Sequence, residues 1–376
     1  MDDVVTAAAR PQPLFDWFVP IDGDGERIGS ERAERPPNFD YLREVVQNAE
    51  ALGYHSLLIP TRFANGLFEA SAPLAESWTT ATALAAVTDR IRLLIAIRPG
   101  FIAPGLFAQM AATLDNLSDG RIDLNLVPGG IQGDFERLGL HTSHGERYAL
   151  AEEFVEACRL LWREPKSVSF QGETFQLNDA LVSPGPSGNP QWYLGGASDA
   201  ALDLAARQSD RLLMWIQPQE AIDALMARAR NAFAEAGREP RFGLRTHIVV
   251  RDDEAAAWVA AHDLIADAAE AVKEQRRAVA AGGAATAVQT QADDYDEHRV
   301  GPHLWNGISV VRVNCGTAIV GNPEQVADEL LSYWRLGVDE FILSGFPHLE
   351  ECRRVADDVL PLLREKIAAS DAGPAV

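Results

Sequence analysis

Short apolar runs alternate with longer amphipathic ones along most of the chain. LFDWFVP (14–20) has the density of a buried strand, DYLREVVQNAEALG (40–53) has helical spacing and stops at Gly53, and YHSLLIP (54–60) is strand-like again. The alternation continues through ESWTTATALAAVTD (helix), RIRLLIAIRPG (strand), PGLFAQMAATLDNLSDG (104–120, a helix with Pro at its start and Gly at its end) and RIDLNLVPGG (121–130, strand). With the helix ERYALAEEFVEACRLLWRE, four β-α units lie in succession. The pattern resumes with QWYLGG (191–196), SDAALDLAARQS, DRLLMWI and a helix from Pro218 to about Gly237. RFGLRTHIVVRD (241–252) is a seventh strand, VDEFILSG (338–345) the eighth, and HLEECRRVADDVLPLLREKI the closing helix. Eight buried-looking strands with intervening helices predict a (β/α)8 TIM barrel as one domain over 1–376. A doubly wound sheet is the alternative, because periodicity does not encode strand order.

Three stretches exceed a minimal barrel. Residues 60–74 form a loop with little periodicity, and 164–190 carry FQGETFQL, a small β excursion, followed by VSPGPSGNP. Residues 253–330 hold two or more helices, then AAGGAATAVQTQADDYDEHRVG and the strand-like ISVVRVN. The Ala/Gly/Gln-rich run predicts a mobile connection, either a lid over substrate or a linker without a role.

Charge and composition narrow the function classes. A formal charge of -22 argues against nonspecific binding to nucleic acid or an anionic membrane, but not against a small anion held by local arginines. No run of 18 uncharged apolar residues appears and the N-terminus lacks a basic region, so neither a spanning segment nor a secretory signal is expected. Cys158, Cys315 and Cys352 are widely spaced and odd in number, which fits a reducing, cytoplasmic setting better than a disulfide framework.

In this fold, chemistry sits at the C-terminal ends of strands. That rule selects Asp22, Arg62, Arg98, Asn125 with its Pro-Gly-Gly turn, the 195–199 turn, Trp215 with Gln217, Arg245 with His247, and Phe346 with His348. Arg245 and His247 alternate onto one face of their strand and suggest an anion pocket, unless both face the helices. Arg312 ends another apolar run and could close over the same anion. Gly195, Gly196, Ala197, Ser198 and Asp199 join a strand to a helix and could hold a phosphate, although glycines and a cap are routine there. His144, Glu146, Arg147 and Tyr148 occupy one turn at a helix start, which could grip a phosphate or a planar ring or merely cap the helix. His141 and His144 lack a carboxylate at ligand spacing, so no metal is expected. These residues alone leave an isomerase, an aldolase, a hydrolase and a flavin enzyme open.

The stretches VPIDGDG (19–25), GYHSLLIPT (53–61), IRPGFIAPGLFAQMAATLDNLSDGRIDLNLVPGG (97–130), HGERYALAEEF (144–154), YLGGASDAALDLAARQSD (193–210), RFGLRTHIVVRD (241–252), CGTAIVGNPEQVA (315–327) and LGVDEFILSGFPHLEECRR (336–354) resemble the bacterial-luciferase-like flavin monooxygenases, and within them the alkanesulfonate monooxygenase group. The resemblance implies a barrel that binds FMNH2 from a separate NAD(P)H-dependent flavin reductase and uses O2. A flavin (hydro)peroxide would then oxidise a small organosulfur compound, releasing sulfite and an aldehyde; a sulfone, an aldehyde, a nitrogen heterocycle, or flavin binding without turnover are the alternatives. It further implies a homodimer or homotetramer. By carry-over, Arg245, His247 and Arg312 match basic residues near flavin and sulfonate, while Asn125, Glu146, Arg147, Tyr148, Gly196, Ala197 and Ser198 match positions that hold flavin. Three departures fall in the substrate pocket: Asp22 replaces a histidine, Arg62 and Phe63 open a longer loop, and Phe346 replaces a tyrosine. Convergence of Arg62, Arg245 and Arg312 on one anion would favour a sulfonate, and an apolar pocket around Phe63, Trp215 and Phe346 would favour the other substrates.

Overall fold

The computed structural model describes residues 10–130, 132–280, 298–312 and 314–371. Its strands are β1 (Leu14–Phe18), β2 (Ser56–Ile59), β3 (Arg92–Ile97), β4 (Ile122–Leu126), β5 (Val168–Gln171), β6 (Gln176–Ala180), β7 (Trp192–Gly195), β8 (Arg211–Trp215), β9 (Phe242–Val250), β10 (Leu304–Trp305), β11 (Ala318–Gly321) and β12 (Glu340–Ser344). Parallel pairing runs β1-β2-β3-β4-β7-β8-β9-β12 and returns to β1, which closes an eight-stranded barrel ringed by helices. The eight strands expected from periodicity are the barrel strands. β5 and β6 form the small antiparallel excursion.

One expectation fails. ISVVRVN is not a strand: Gly307–Val310 is a 3-10 turn, and the edge strand is β11, parallel to the outer half of β9 and antiparallel to β10. The reason lies in spacing. The fully buried residues are Ile308 and Val311, three apart, and the Val311 and Arg312 N–H groups both donate to the Ile308 carbonyl. Of the run 280–301 expected to be a lid or a linker, residues 281–297 lie outside the described residues.

Side chains alternate along each strand, so the barrel interior separates into layers. Phe18, Leu58, Leu94, Tyr193, Leu213 and Ile342 form a buried apolar plug. Two residues earlier in five of those strands stand Asp16, Ser56, Arg92, Arg211 and Glu340, a polar floor. There Arg211 Nε lies 2.7 Å from Glu340, the Tyr193 hydroxyl donates to the same carboxylate at 3.2 Å, and Arg92 Nε pairs with Asp123 at 2.6 Å. Asp16 lies against Glu340 with no N–H donor on either oxygen, and burial followed by the Glu340 charge raises its pKa well above the usual range. Two residues beyond the plug the strands reach the mouth, at Ala96, Gly195, Trp215 and Ser344.

Candidate active site

β9 carries Arg245 and His247 into the mouth, and β12 places Ser344 between them. Arg245 donates to Ser344 Oγ at 2.8 Å and also to the Thr246 carbonyl. Ser344 Oγ lies 2.7 Å from His247 Nδ1, and His247 Nε2 lies 3.1 Å from the Cys315 carbonyl. Donor accounting fixes the protons. A carbonyl only accepts, so Nε2 carries the hydrogen; Nδ1 must then accept, and the Ser344 hydroxyl donates to it while accepting from Arg245. Burial, then the Arg245 and Arg312 charges, push the His247 pKa well below its ordinary value. His247 is a neutral imidazole with both ring nitrogens engaged.

Arg312 and Arg245 lie over the Phe18 ring, at 5.3 and 4.5 Å from its centroid. Both are buried, and Arg312 Nε has no acceptor. Among the described residues neither has a carboxylate within ion-pair distance. Burial is the main force lowering their pKa values, to about 9 for Arg312 and about 10 for Arg245, which leaves both charged at neutral pH.

Arg62 stands apart from that pair. Its Nε lies 3.0 Å from Asp22, whose carboxylate also accepts from the Gly66 N–H at 2.7 Å, while Asn65 Nδ2 donates to the Asp22 carbonyl at 2.7 Å. Asp22 therefore shapes the 60–74 loop and neutralises Arg62, so the three arginines do not meet as three bare charges. Phe63 packs edge-on to Phe101 at 4.8 Å and faces Arg98 at 4.9 Å, so its surroundings are aromatic and cationic. Phe346 stacks on His247 at 5.4 Å and meets His348 edge-on at 5.2 Å. Trp215 is half-buried at the end of β8, in register with Arg245.

Two strands round the barrel from β9, the helix His144–Arg163 and the turn after β7 converge. A Cβ added at Gly129 or Gly196 would lie 3.5 or 3.9 Å from the Tyr148 hydroxyl. Gly196 has φ +154°, and a side chain there would meet Ala201 Cβ at 2.6 Å, so close backbone approach requires glycine. Ser198 caps the next helix by accepting from the Ala201 N–H, and Ala197 beside it is exposed. Arg147 is buried over Phe135 at 4.4 Å and donates to the Pro128 carbonyl at 3.1 Å. Glu146 is not part of this group: it is exposed and closes a capping box with Ser143. Asn125 projects a buried Oδ1 that has no donor.

Sequence reasoning assigned no role to Ser344, Phe18 or Arg276. Counting two residues on from Ile342 would have found Ser344, and two on from Asp16 would have found Phe18. Arg276 sits in a polar helical run, KEQRR, that gives no sign of its burial.

Among the described residues, the orphaned buried atoms near the mouth include an acceptor, Asn125 Oδ1, two donors, Arg98 Nε and Arg312 Nε, and the ring nitrogen His348 Nδ1. The ring N–H groups of a reduced flavin suit the orphaned Asn125 acceptor, and the glycines of the Tyr148 wall leave its backbone approachable. The family model for luciferase-like monooxygenases matches residues 14–340. The chain belongs to that family. Its fold is similar to a riboflavin lyase solved with modified FMN and riboflavin (TM-score 0.75, 19% identity, covering 95% of this chain and 92% of that one). It is also similar to EDTA monooxygenase from Chelativorans sp. BNC1 (TM-score 0.75, 20% identity, 95% and 94%) and to a long-chain alkane monooxygenase (TM-score 0.70, 18% identity, 95% and 92%). At these identities the likeness is one of fold. Family and fold together make this a reduced-flavin-dependent monooxygenase. Among the described residues no cluster of His, Cys, Asp and Glu could hold a metal, and no helix is long and apolar enough to cross a membrane.

Proposed function

We propose that this chain is the oxygenase of a two-component system, receiving FMNH2 from a separate NAD(P)H-dependent reductase and oxidising a small organic substrate that carries an anionic group. The observation that carries this reading is the buried pair Arg245 and Arg312, stacked over Phe18 and, among the described residues, without a carboxylate partner. Isolated buried guanidinium charges are costly, and an anionic ligand offsets that cost. Bound FMNH2 supplies the activation of O2. In this reading Asn125, Tyr148, Gly196 and Ser198 would hold the flavin, with Arg147 supporting that wall. His247 and Ser344 orient Arg245, and Phe346 keeps water from the His247 face.

Desulfonation of an alkanesulfonate is one member of this class, and the broader member is better supported. The structural relatives are named for EDTA, riboflavin and long-chain alkanes, and Arg62 is already paired with Asp22. A homo-oligomer in the cytoplasm belongs to the same proposal: Leu106, Met110 and Leu117 lie exposed on one side of the helix Pro104–Leu117, and the three cysteines are buried thiols. Anaerobic titration with FMNH2, followed by O2 and a panel of sulfonates, carboxylates, sulfones and aldehydes, tests the function. Substrate-dependent product formation is expected with anionic members and sulfite only from sulfonates; O2 consumption yielding peroxide alone with every compound would overturn it.

A further inference from the structure

Beside the deep pair, a cleft opens at the barrel mouth, lined by Arg62, Arg98, Arg137 and Arg276 together with Asp134. Asp134 holds Arg137 at 2.8 Å on an exposed flank, and Asp22 holds Arg62 at 3.0 Å. Arg98 and Arg276 have no such counter-charge among the described residues. Arg98 donates to the Gly129 carbonyl, and Arg276 to the carbonyls of Val311, Asn65 and Phe68. Carbonyls fix a guanidinium in place but leave its charge standing. Arg98 is also clamped between Phe63 at 4.9 Å and Phe135 at 5.1 Å, and its buried Nε has no acceptor. Gly130 permits this approach, since a Cβ there would lie 2.5 Å from Arg98. The result is a preorganised excess of positive charge in a protein of net charge -22.

We propose that this cleft binds an oxyanion, a carboxylate, sulfonate or phosphate, and that its occupant is a second anionic group of the substrate, which makes the substrate class an organic dianion. The inference rests on the proposed reading in which Arg245 and Arg312 receive the first group. The two sites adjoin along the chain, because Arg276 of the cleft donates to the carbonyl of Val311, the residue next to Arg312. A molecule with an anion at each end satisfies both sets of arginines, whereas a monoanion leaves one set bare.

The test uses wild-type protein loaded anaerobically with FMNH2 and titrated with a terminal alkanedisulfonate, then with the alkanesulfonate of equal chain length. The disulfonate is expected to bind at least about tenfold more tightly, with an advantage that shrinks as salt is added. Arg98→Met keeps an unbranched stem between the phenyl rings and should abolish that advantage. Arg98→Lys should keep part of it, which separates loss of charge from loss of fold. Equal binding of the two sulfonates by wild type, or no binding of the disulfonate, overturns the proposal. The flavin phosphate is the other source of such an anion. If Arg98→Met weakens binding of FMNH2 but not of reduced riboflavin, the cleft belongs to the cofactor and the substrate assignment fails. A wild-type protein that binds no FMNH2 would instead sink the flavin reading, and titrating both sulfonates into flavin-free protein would still report on the cleft.

Discussion

Replacing Ser344 with alanine tests the hydrogen-bond accounting at the centre of the site. The change removes one oxygen and two bonds, the donation to His247 Nδ1 at 2.7 Å and the acceptance from Arg245 at 2.8 Å. A neutral bond of this kind contributes about 0.5–1.5 kcal/mol and one to a charged donor about 1.5–3 kcal/mol. Ser344, His247 and Arg245 are all buried, so the orphaned groups cannot simply turn to bulk solvent. The expected loss is therefore about 2–4 kcal/mol, falling toward about 1 kcal/mol if a water takes the place of the hydroxyl. Equilibrium urea unfolding followed by tryptophan fluorescence measures it. Because Arg245 keeps its bond to the Thr246 carbonyl, it should swing rather than leave the site. Turnover should then fall by about 100-fold or less, with FMNH2 affinity nearly unchanged. A variant within about 0.5 kcal/mol of wild type and equally active would refute the assignment of Ser344 as the donor that fixes the imidazole.

Three further outcomes follow from named groups. His247 has a folded pKa well below its ordinary value, so below about pH 6.5 the unfolded chain takes up a proton that the folded one refuses; wild type should lose about 1.4 kcal/mol per pH unit relative to His247→Gln as pH falls from there, read from urea midpoints. Parallel pH dependence of the two proteins would contradict a neutral His247. On the barrel floor, Arg211→Met strands Glu340 and should cost about 3–5 kcal/mol, whereas Arg211→Met with Glu340→Gln should recover much of that; a double variant no more stable than the single one would remove the pair from the account. Gly196→Ala forces a Cβ against Ala201 at a strained φ and should cost about 1–3 kcal/mol while weakening FMNH2 binding, measured by anaerobic fluorescence titration; unchanged affinity would move the flavin away from this turn.

The barrel was legible in the sequence because burial imposes a period on each strand, and that period can be counted without knowing the neighbours. It misled only at ISVVRVN, where β-branched residues suggested a strand while the buried positions stood three apart. Strand-end position also brought Arg245, His247 and the 195–199 turn to the mouth, since alternation decides which side chains face inward, whereas Arg312 arrives just past a 3-10 turn. What stayed hidden is charge balance. Arg62 meets Asp22 across 40 residues, His247 meets Ser344 across 97, and Arg276 reaches Phe68 across 208. No local pattern announces such pairs, because each partner satisfies the period of its own element. Glu146 shows the converse: it sits at a suggestive position, yet its carboxylate is committed to the cap three residues away. A list of arginines at strand ends therefore predicts an electropositive mouth, but only the pairing shows which of them remain for a ligand. Among the described residues Asp22 and Asp134 leave Arg98, Arg245, Arg276 and Arg312 without a carboxylate, and that remainder, rather than the count of basic residues, is what argues for an anionic substrate.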